Sequence, residues 1–230
     1  MSKKRLSHDA FFKLAFSDID ISREYIKHFL PERLVASLQL AKLKLSNQSF
    51  VTPKLKQYYS DLVYQCLTNE GKPIEVALLF EHKNDIPIYP HIQLLRYQLE
   101  YWENQFKQKK GLTPIIPIVV YQGKQKWTKR PFKNYFLTES DVFHPFIPSF
   151  DYCLTDINQI PDGELMALTA DLLSSILLLM KSIKSQPEQH FTQILMNMEN
   201  KIGDHTKRNL IEGMIVYFLQ NAEICIFGNV

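Results

Sequence analysis

Three features are scarce in this chain, and each scarcity excludes something. Cysteine occurs only three times in 230 residues, as Cys66, Cys153 and Cys225. The three are far apart, odd in number and form no C-x-x-C pair, so neither a disulfide framework nor a zinc cluster is expected, and reduced cytosolic thiols are the default. Long apolar runs are missing as well. The longest, "LLSSILLLM" at 172–180, is bounded by Asp171 and Lys181 and is too short to span a bilayer. The opening "MSKKRLSHDAFF" is basic but lacks the apolar stretch of a signal peptide. Strong net charge is the third absence. At +3, with a pI near 8.6, the chain permits an anionic partner without demanding one. No internal repeat or low-complexity tract is present. These absences predict a cytoplasmic protein that does not enter a membrane.

What is present is an ordinary globular balance, 45% hydrophobic and 22% charged. Ser7 is placed to cap a short helix over "HDAFFKLAF". "DISREYIKHFL" predicts a second helix ending before Pro31. "LQLAKLKLS" alternates apolar and polar residues, as a half-buried strand does. "QYYSDLVYQCL" and "IEVALLFEHK" predict two more strands, joined into a hairpin by the turn residues of "TNEGKP". "YPHIQLLRYQLEYWENQFKQKK" has helical spacing with Ile92, Leu95, Leu99 and Trp102 on one stripe, and Gly111 as its terminator. "PIIPIVVYQG" is the continuous apolar run of a strand covered on both faces, and "DYCLTDI" is a further core strand. From Pro161 onward the pattern is helical, with single helices expected over "DGELMALTADLLSSILLLMKSI", "QPEQHFTQILMNM" and "TKRNLIEGMIVYFLQNA". The fold class is therefore α/β, a mixed sheet flanked by helices. Residues 1–160 form the expected core, and residues 161–230 a helical C-terminal region. The apolar stripe of the 163–183 helix is read as core or as a dimer face.

The candidate chemistry sits at the end of "LLFEHKN". Residues two apart on a strand share a face, so Glu81 and Lys83 point one way and His82 the other. Asp61, on the neighbouring strand, can approach Glu81 if the two strands form the hairpin. Two carboxylates and a lysine suit metal-assisted hydrolysis of a phosphodiester. Asp61 and Glu81 supply the oxygen ligands that Mg²⁺ (or Mn²⁺) prefers, and Lys83 holds the attacking water or stabilises charge on the phosphate. The same spacing also describes a solvated sheet end with a weak ion pair. A metal-free acid/base hydrolase would need one raised carboxyl pKa, which Lys83 opposes.

"HDAFFKLAFSD", "YYSDLVY", "LLFEHKN", "IQLLRYQLEYW" and "PIIPIVVYQGKQKW" occur in that order across residues 7–156. The set resembles the recombination-promoting nuclease (Rpn, YhgA-like transposase) family of the PD-(D/E)XK nuclease superfamily. The resemblance implies a restriction-endonuclease-like fold and a Mg²⁺-dependent DNA endonuclease linked to recombination or mobile elements. It assigns metal ligation to Asp61 and Glu81, and the catalytic lysine role to Lys83. Members of the family often carry Gln at that last position, so Lys83 is a departure toward the superfamily pattern. The resemblance also places the helix with Gln93, Arg96 and Tyr97 beside the site. Gln93 then orients a phosphate or the lysine, or else belongs to an ordinary helix face.

Other candidates have equally plain alternatives. Asp9 approaches the site or complements the first helix dipole, and His8 is read as structural. His82 and His91 lack the partner spacing of metal ligands. Lys124, Lys126, Lys129, Arg130 and Lys133 are interleaved with Trp127, Phe132, Tyr135 and Phe136, which suits phosphate contacts and base stacking but also a solvated loop. A nuclease with one site per chain often dimerises to cut both strands, so a homodimer is an expectation of that class. The competing function is a module on the same fold that binds nucleic acid or protein without cutting.

Overall fold

The computed structural model describes residues 5–46, 60–81, 86–137, 140–169, 171–183, 190–199, 201 and 203–221, with the backbone alone at 60, 61, 80 and 81. In chain order the elements are α1 (His8–Phe16), α2 (Ile19–Phe29), α3 (Glu32–Val35), β1 (Lys44–Leu45), β2 (Ser60–Leu67) and β3 (Pro73–Glu81). There follow α4 (Pro90–Lys107), β4 (Ile115–Tyr121), β5 (Cys153–Asp156), α5 (Asp162–Met166), α6 (Asp171–Ser182), α7 (Phe191–Glu199) and α8 (Arg208–Asn221). Two compact units result. Residues 31–156 form one, and residues 1–30 together with 157–230 form the other. Among the described residues no helix is long and apolar enough to cross a membrane.

The 31–156 unit is built on a five-stranded sheet in the order β1-β2-β3-β4-β5. The β2–β3 hairpin is antiparallel, and β3, β4 and β5 are parallel. The hairpin turn uses Gly71 at φ +78°, and the Thr68 hydroxyl accepts from the Lys72 amide at 3.2 Å. Because β3 and β4 lie inside the sheet, both of their faces are apolar. Val76, Leu78, Ile118 and Val120 are buried on one side, and Ala77, Leu79, Val119 and Tyr121 on the other. The second of these faces forms one core with Val63 and with Leu94, Tyr97 and Tyr101 of α4.

Three expectations for this unit are corrected. "LQLAKLKLS" is not one strand. Leu40–Lys42 close a 3₁₀ turn, and only Lys44–Leu45 pair with β2. Alternation alone cannot hold a strand where the ladder has a turn in it. The α4 helix forms, but its buried stripe is His91, Leu94, Tyr97, Gln98, Tyr101 and Gln105, whereas Ile92 and Leu99 are exposed. Its terminator is Lys109, left-handed at φ +56°, rather than Gly111. The amides of Lys109 and Lys110 bond to the carbonyls of Phe106 and Gln105, closing a Schellman turn.

In the other unit, α1 starts where expected, with the Ser7 hydroxyl accepting from the Ala10 amide at 3.2 Å. α2 is capped by Asp18, whose carboxylate also takes the Lys207 ammonium at 2.7 Å. The long helix expected over 163–183 is instead two. α5 ends at Met166, and α6 is buried from Leu172 through Met180, as suits a helix that is apolar all round. Lys181 bonds Asp162 at 2.6 Å, which ties the short helix to the long one. Asp162 also meets His190 at 2.9 Å, and these two partners, Lys181 foremost, hold its carboxyl below the usual range. On α8, Gly213 lies so close to Leu14 of α1 that a Cβ there would collide with it.

Candidate active site

The β2–β3 register places Asp61 opposite Leu79, two residues short of Glu81. Side-chain alternation then puts positions 61, 63 and 65 on the same face as 75, 77, 79 and 81. That is the face covered by α4. Asp61 and Glu81 are thus diagonal neighbours across two strands, which corresponds to about 7–8 Å between backbones, a spacing two carboxylates can bridge. The expected hairpin therefore forms and carries both acids at one end of one face. Lys83 and His82 lie outside the described residues, as do the side chains of Asp61 and Glu81.

The rest of that sheet end is described. Glu81 pairs with Tyr121 of β4, and Tyr121 with Asp156 of β5. Tyr121 is fully buried and stands edge-on to Trp127, with ring centroids 5.0 Å apart at 79°. Asp156 accepts the Trp127 amide at 3.0 Å, fixing the start of the basic loop to the end of β5. Asp156 is a third carboxylate on the Glu81 row, and sequence reasoning did not single it out. Its only signal was its place at the end of "DYCLTDI".

The α4 helix leaves the same sheet end and runs back along β3. Gln93 is half-buried in its first turn, Tyr97 lies in the core below it, and Arg96 is exposed. At the far end, Glu75 is buried against Tyr101 and accepts from Gln65 at 3.4 Å. Burial pushes the Glu75 carboxyl up, and hydrogen bonds from Tyr101 and Gln65 only partly offset this. Burial together with the neighbouring Glu75 pushes Tyr101 well above an ordinary phenol. This polar cluster is about six residues of strand, or roughly 20 Å, from Glu81.

The basic loop is divided in its roles. Lys124, Lys126, Arg130 and Lys133 are exposed. Lys129 reaches both oxygens of Asp151, at 2.9 and 3.0 Å, and the Tyr152 carbonyl at 2.9 Å, so it braces the loop. Trp127 and Phe132 are buried anchors rather than stacking platforms. Phe136 is exposed, and Arg130 lies over the Tyr135 ring at 4.1 Å. A cavity of about 440 Å³ opens here, lined by Lys129, Arg130, Lys133, His144, Phe150 and Asp151 among others. His91 is buried and stacked on Phe132 at 4.8 Å, and burial lowers its pKa, so it is a neutral core histidine.

In the other unit, His8 bonds the Tyr217 hydroxyl, and Asp9 sits half-buried in the first turn of α1. Among the described residues no group of three or more His, Cys, Asp or Glu comes together to hold a metal. The donor types at positions 61 and 81, two carboxylates on one face, fit a hard divalent cation.

The family model described as "Putative transposase, YhgA-like" matches residues 6–209. The Recombination-promoting nuclease RpnA of Escherichia coli K12 is 26% identical over 237 residues, covering all of this chain and 78% of that protein. RpnD of Escherichia coli O157:H7, also named a recombination-promoting nuclease, is 27% identical over 69% of this chain and 62% of its own length. A third relative at 26% identity carries the name "Inactive recombination-promoting nuclease-like protein RpnE". No solved structure matches the chain.

Proposed function

This chain belongs to the YhgA-like transposase family, and from that premise and its sheet geometry we propose that it is a metal-dependent DNA endonuclease acting in recombination. The fold in this reading is the PD-(D/E)XK arrangement, a mixed sheet whose hairpin carries the acids. The observation that carries the reading is the β2–β3 register, which sets Asp61 and Glu81 on one face at the sheet's end. Support for the substrate comes from the relatives named as recombination-promoting nucleases.

Asp61 and Glu81 would hold Mg²⁺ or Mn²⁺, which supplies a more acidic bound water and charge neutralisation at the phosphate. Lys83, two residues past Glu81, holds the attacking water and takes up developing negative charge. Gln93, in the first turn of α4, orients the phosphate or the lysine. Lys124, Lys126 and Arg130 give the loop a positive surface for neighbouring phosphates, and Lys129, expected beside them, braces that loop through Asp151. In the reaction a water oxygen attacks phosphorus in line and gives up a proton to solvent, the P–O bond to the leaving sugar breaks, and the departing sugar oxygen takes up a proton from solvent.

One specific observation favours a second reading, a module on this fold that binds nucleic acid without cutting. Two relatives are named inactive, RpnE and the shorter YjiP, which is 33% identical over 40% of this chain. Cleavage of supercoiled plasmid by the purified protein separates the two. The assay runs with Mg²⁺, with Mn²⁺ and with EDTA, beside Asp61→Ala and Lys83→Ala. The nuclease reading expects nicking that needs metal and falls by at least about 100-fold in both variants. Intact plasmid under every condition, with a gel shift at low salt, would replace it with the binding module.

A further inference from the structure

The α4 helix carries two apolar stripes, and only one of them lies fully in the core. The inner stripe of Leu94, Tyr97 and Tyr101 lies in the core. The outer one consists of Ile92, Leu95, Leu99, Trp102 and Phe106. Its spacing is 3-4-3-4, which is the a/d repeat of a coiled coil. In that frame Tyr97 falls at f and Leu94 and Tyr101 at c, so the a positions Ile92, Leu99 and Phe106 face away from the sheet, while Leu95 and Trp102 at d are half-buried and Trp102 packs against the edge of the core. Ile92 is 39% exposed, Leu99 47% and Phe106 78%. The Trp102 indole donates to the Thr113 carbonyl at 2.9 Å, which holds that ring in place at the edge of the stripe. Single exposed apolar residues are normal, but three exposed at a positions, flanked by two half-buried at d in strict register, form an interaction surface.

We infer that α4 is the seam of a homodimer, packed antiparallel against α4 of a second copy. The helix names its own partner through charge. On its e flank stand Arg96 and Glu103, both exposed and one heptad apart. In a parallel pair the e flank meets the g flank, which here is His91, Gln98 and Gln105, all buried and none carrying a permanent charge. In an antiparallel pair the e flank meets its own copy. Arg96 then faces the partner's Glu103, and Glu103 faces the partner's Arg96, giving two opposite-charge contacts about one two-fold axis. The same register stacks Leu99 on the partner's Trp102 and Leu95 on the partner's Phe106. An 18-residue helix is about 27 Å long, so the seam is at the small end of stable interfaces and association is expected in the micromolar range.

Sedimentation velocity on the full chain at roughly 1–100 μM tests this inference independently of nuclease activity, since it reads mass alone. Wild type should be dimeric at the upper end of that range. Leu99→Glu should be monomeric with the helix content unchanged by circular dichroism. Arg96→Glu and Glu103→Arg should each weaken association by roughly ten-fold, and the double reversal R96E/E103R should recover it. These last substitutions are on exposed residues and leave the core untouched. A wild-type monomer at 100 μM, or a dimer that Leu99→Glu leaves intact, overturns the seam. Failure of the double reversal to recover association overturns the antiparallel register.

Discussion

Gly123 is the position at which a single methyl group would reach the candidate site from behind. It follows β4 by two residues, and a Cβ built on it would overlap Oη, Cζ and Cε2 of Tyr121. That ring has nowhere to go. It is fully buried and stands edge-on to Trp127, which is itself only 5% exposed. The Trp127 amide is in turn pinned to Asp156. Gly123→Ala therefore forces either the ring or the loop backbone to shift, an overpacking cost of about 1–3 kcal/mol. The loss of unfolded-chain freedom gives back about 0.4–1 kcal/mol. The net destabilisation is about 1–2 kcal/mol, or roughly 2–8 °C in melting midpoint for a chain of this size. Tyr121 pairs with Glu81, so plasmid nicking should fall more than the small population of unfolded protein explains. Differential scanning calorimetry and the nicking assay, run below the midpoint on the same preparations, measure the two effects. A variant with wild-type midpoint and activity would mean that Tyr121 is not wedged against Trp127, and the reasoning would fail.

Two other substitutions test the structure away from the site. Lys109→Gly places the residue suited to φ +56° at the end of α4 and should stabilise the fold by about 0.5–1 kcal/mol, read from urea midpoints; a loss of stability would refute the Schellman turn. Glu75→Gln tests the buried carboxyl beside Tyr101. Burial raises the folded pKa of Glu75 above its ordinary 4.5, so the unfolded chain ionises first. The contribution of this group to stability is fully present below about 4.5 and is lost as pH rises through the higher folded value. The variant should match wild type near pH 4 and melt at a higher temperature near pH 7; an equal gap at both pH values would assign the effect to something other than ionisation.

The parts of the fold that local sequence determines were legible. The two inner strands announce themselves because both of their faces are buried, which leaves no polar alternation in "VALLF" or "IIPIVV". The hairpin follows from "TNEGKP" and delivers Asp61 and Glu81 to one face without further information. What failed was any choice between two locally equal options. α4 has the right period for a helix on either stripe, and Gln98 and Gln105 disguise the buried side as the polar one. "LQLAKLKLS" has the alternation of a strand, but whether it pairs depends on β2. The grouping of the N-terminal helices with the C-terminal ones has no local signal at all. It rests on contacts such as Lys207 with Asp18 and Phe11 stacked on Tyr217 at 4.0 Å, about two hundred residues apart.

Fold and chemistry separate cleanly in this sheet, and that bears on a chain whose relatives include proteins named nucleases and proteins named inactive. The hairpin is held by Val63, Ala77 and Leu79 on the α4 side and by Tyr64, Val76 and Leu78 on the other, all buried. Positions 61 and 81 stand at the end of the first of these rows. Neither position is needed for the register, because the pairs from Leu62 with Leu78 to Leu67 with Pro73 define it without them. Substitution at either acid leaves the apolar ladder intact while removing the oxygen donor. A chain can therefore keep the whole fold, and the family match that comes with it, after its chemistry is gone. The nuclease reading of this chain therefore depends on the presence of both acids, with Lys83 two residues beyond, as well as on the register that brings positions 61 and 81 to one face.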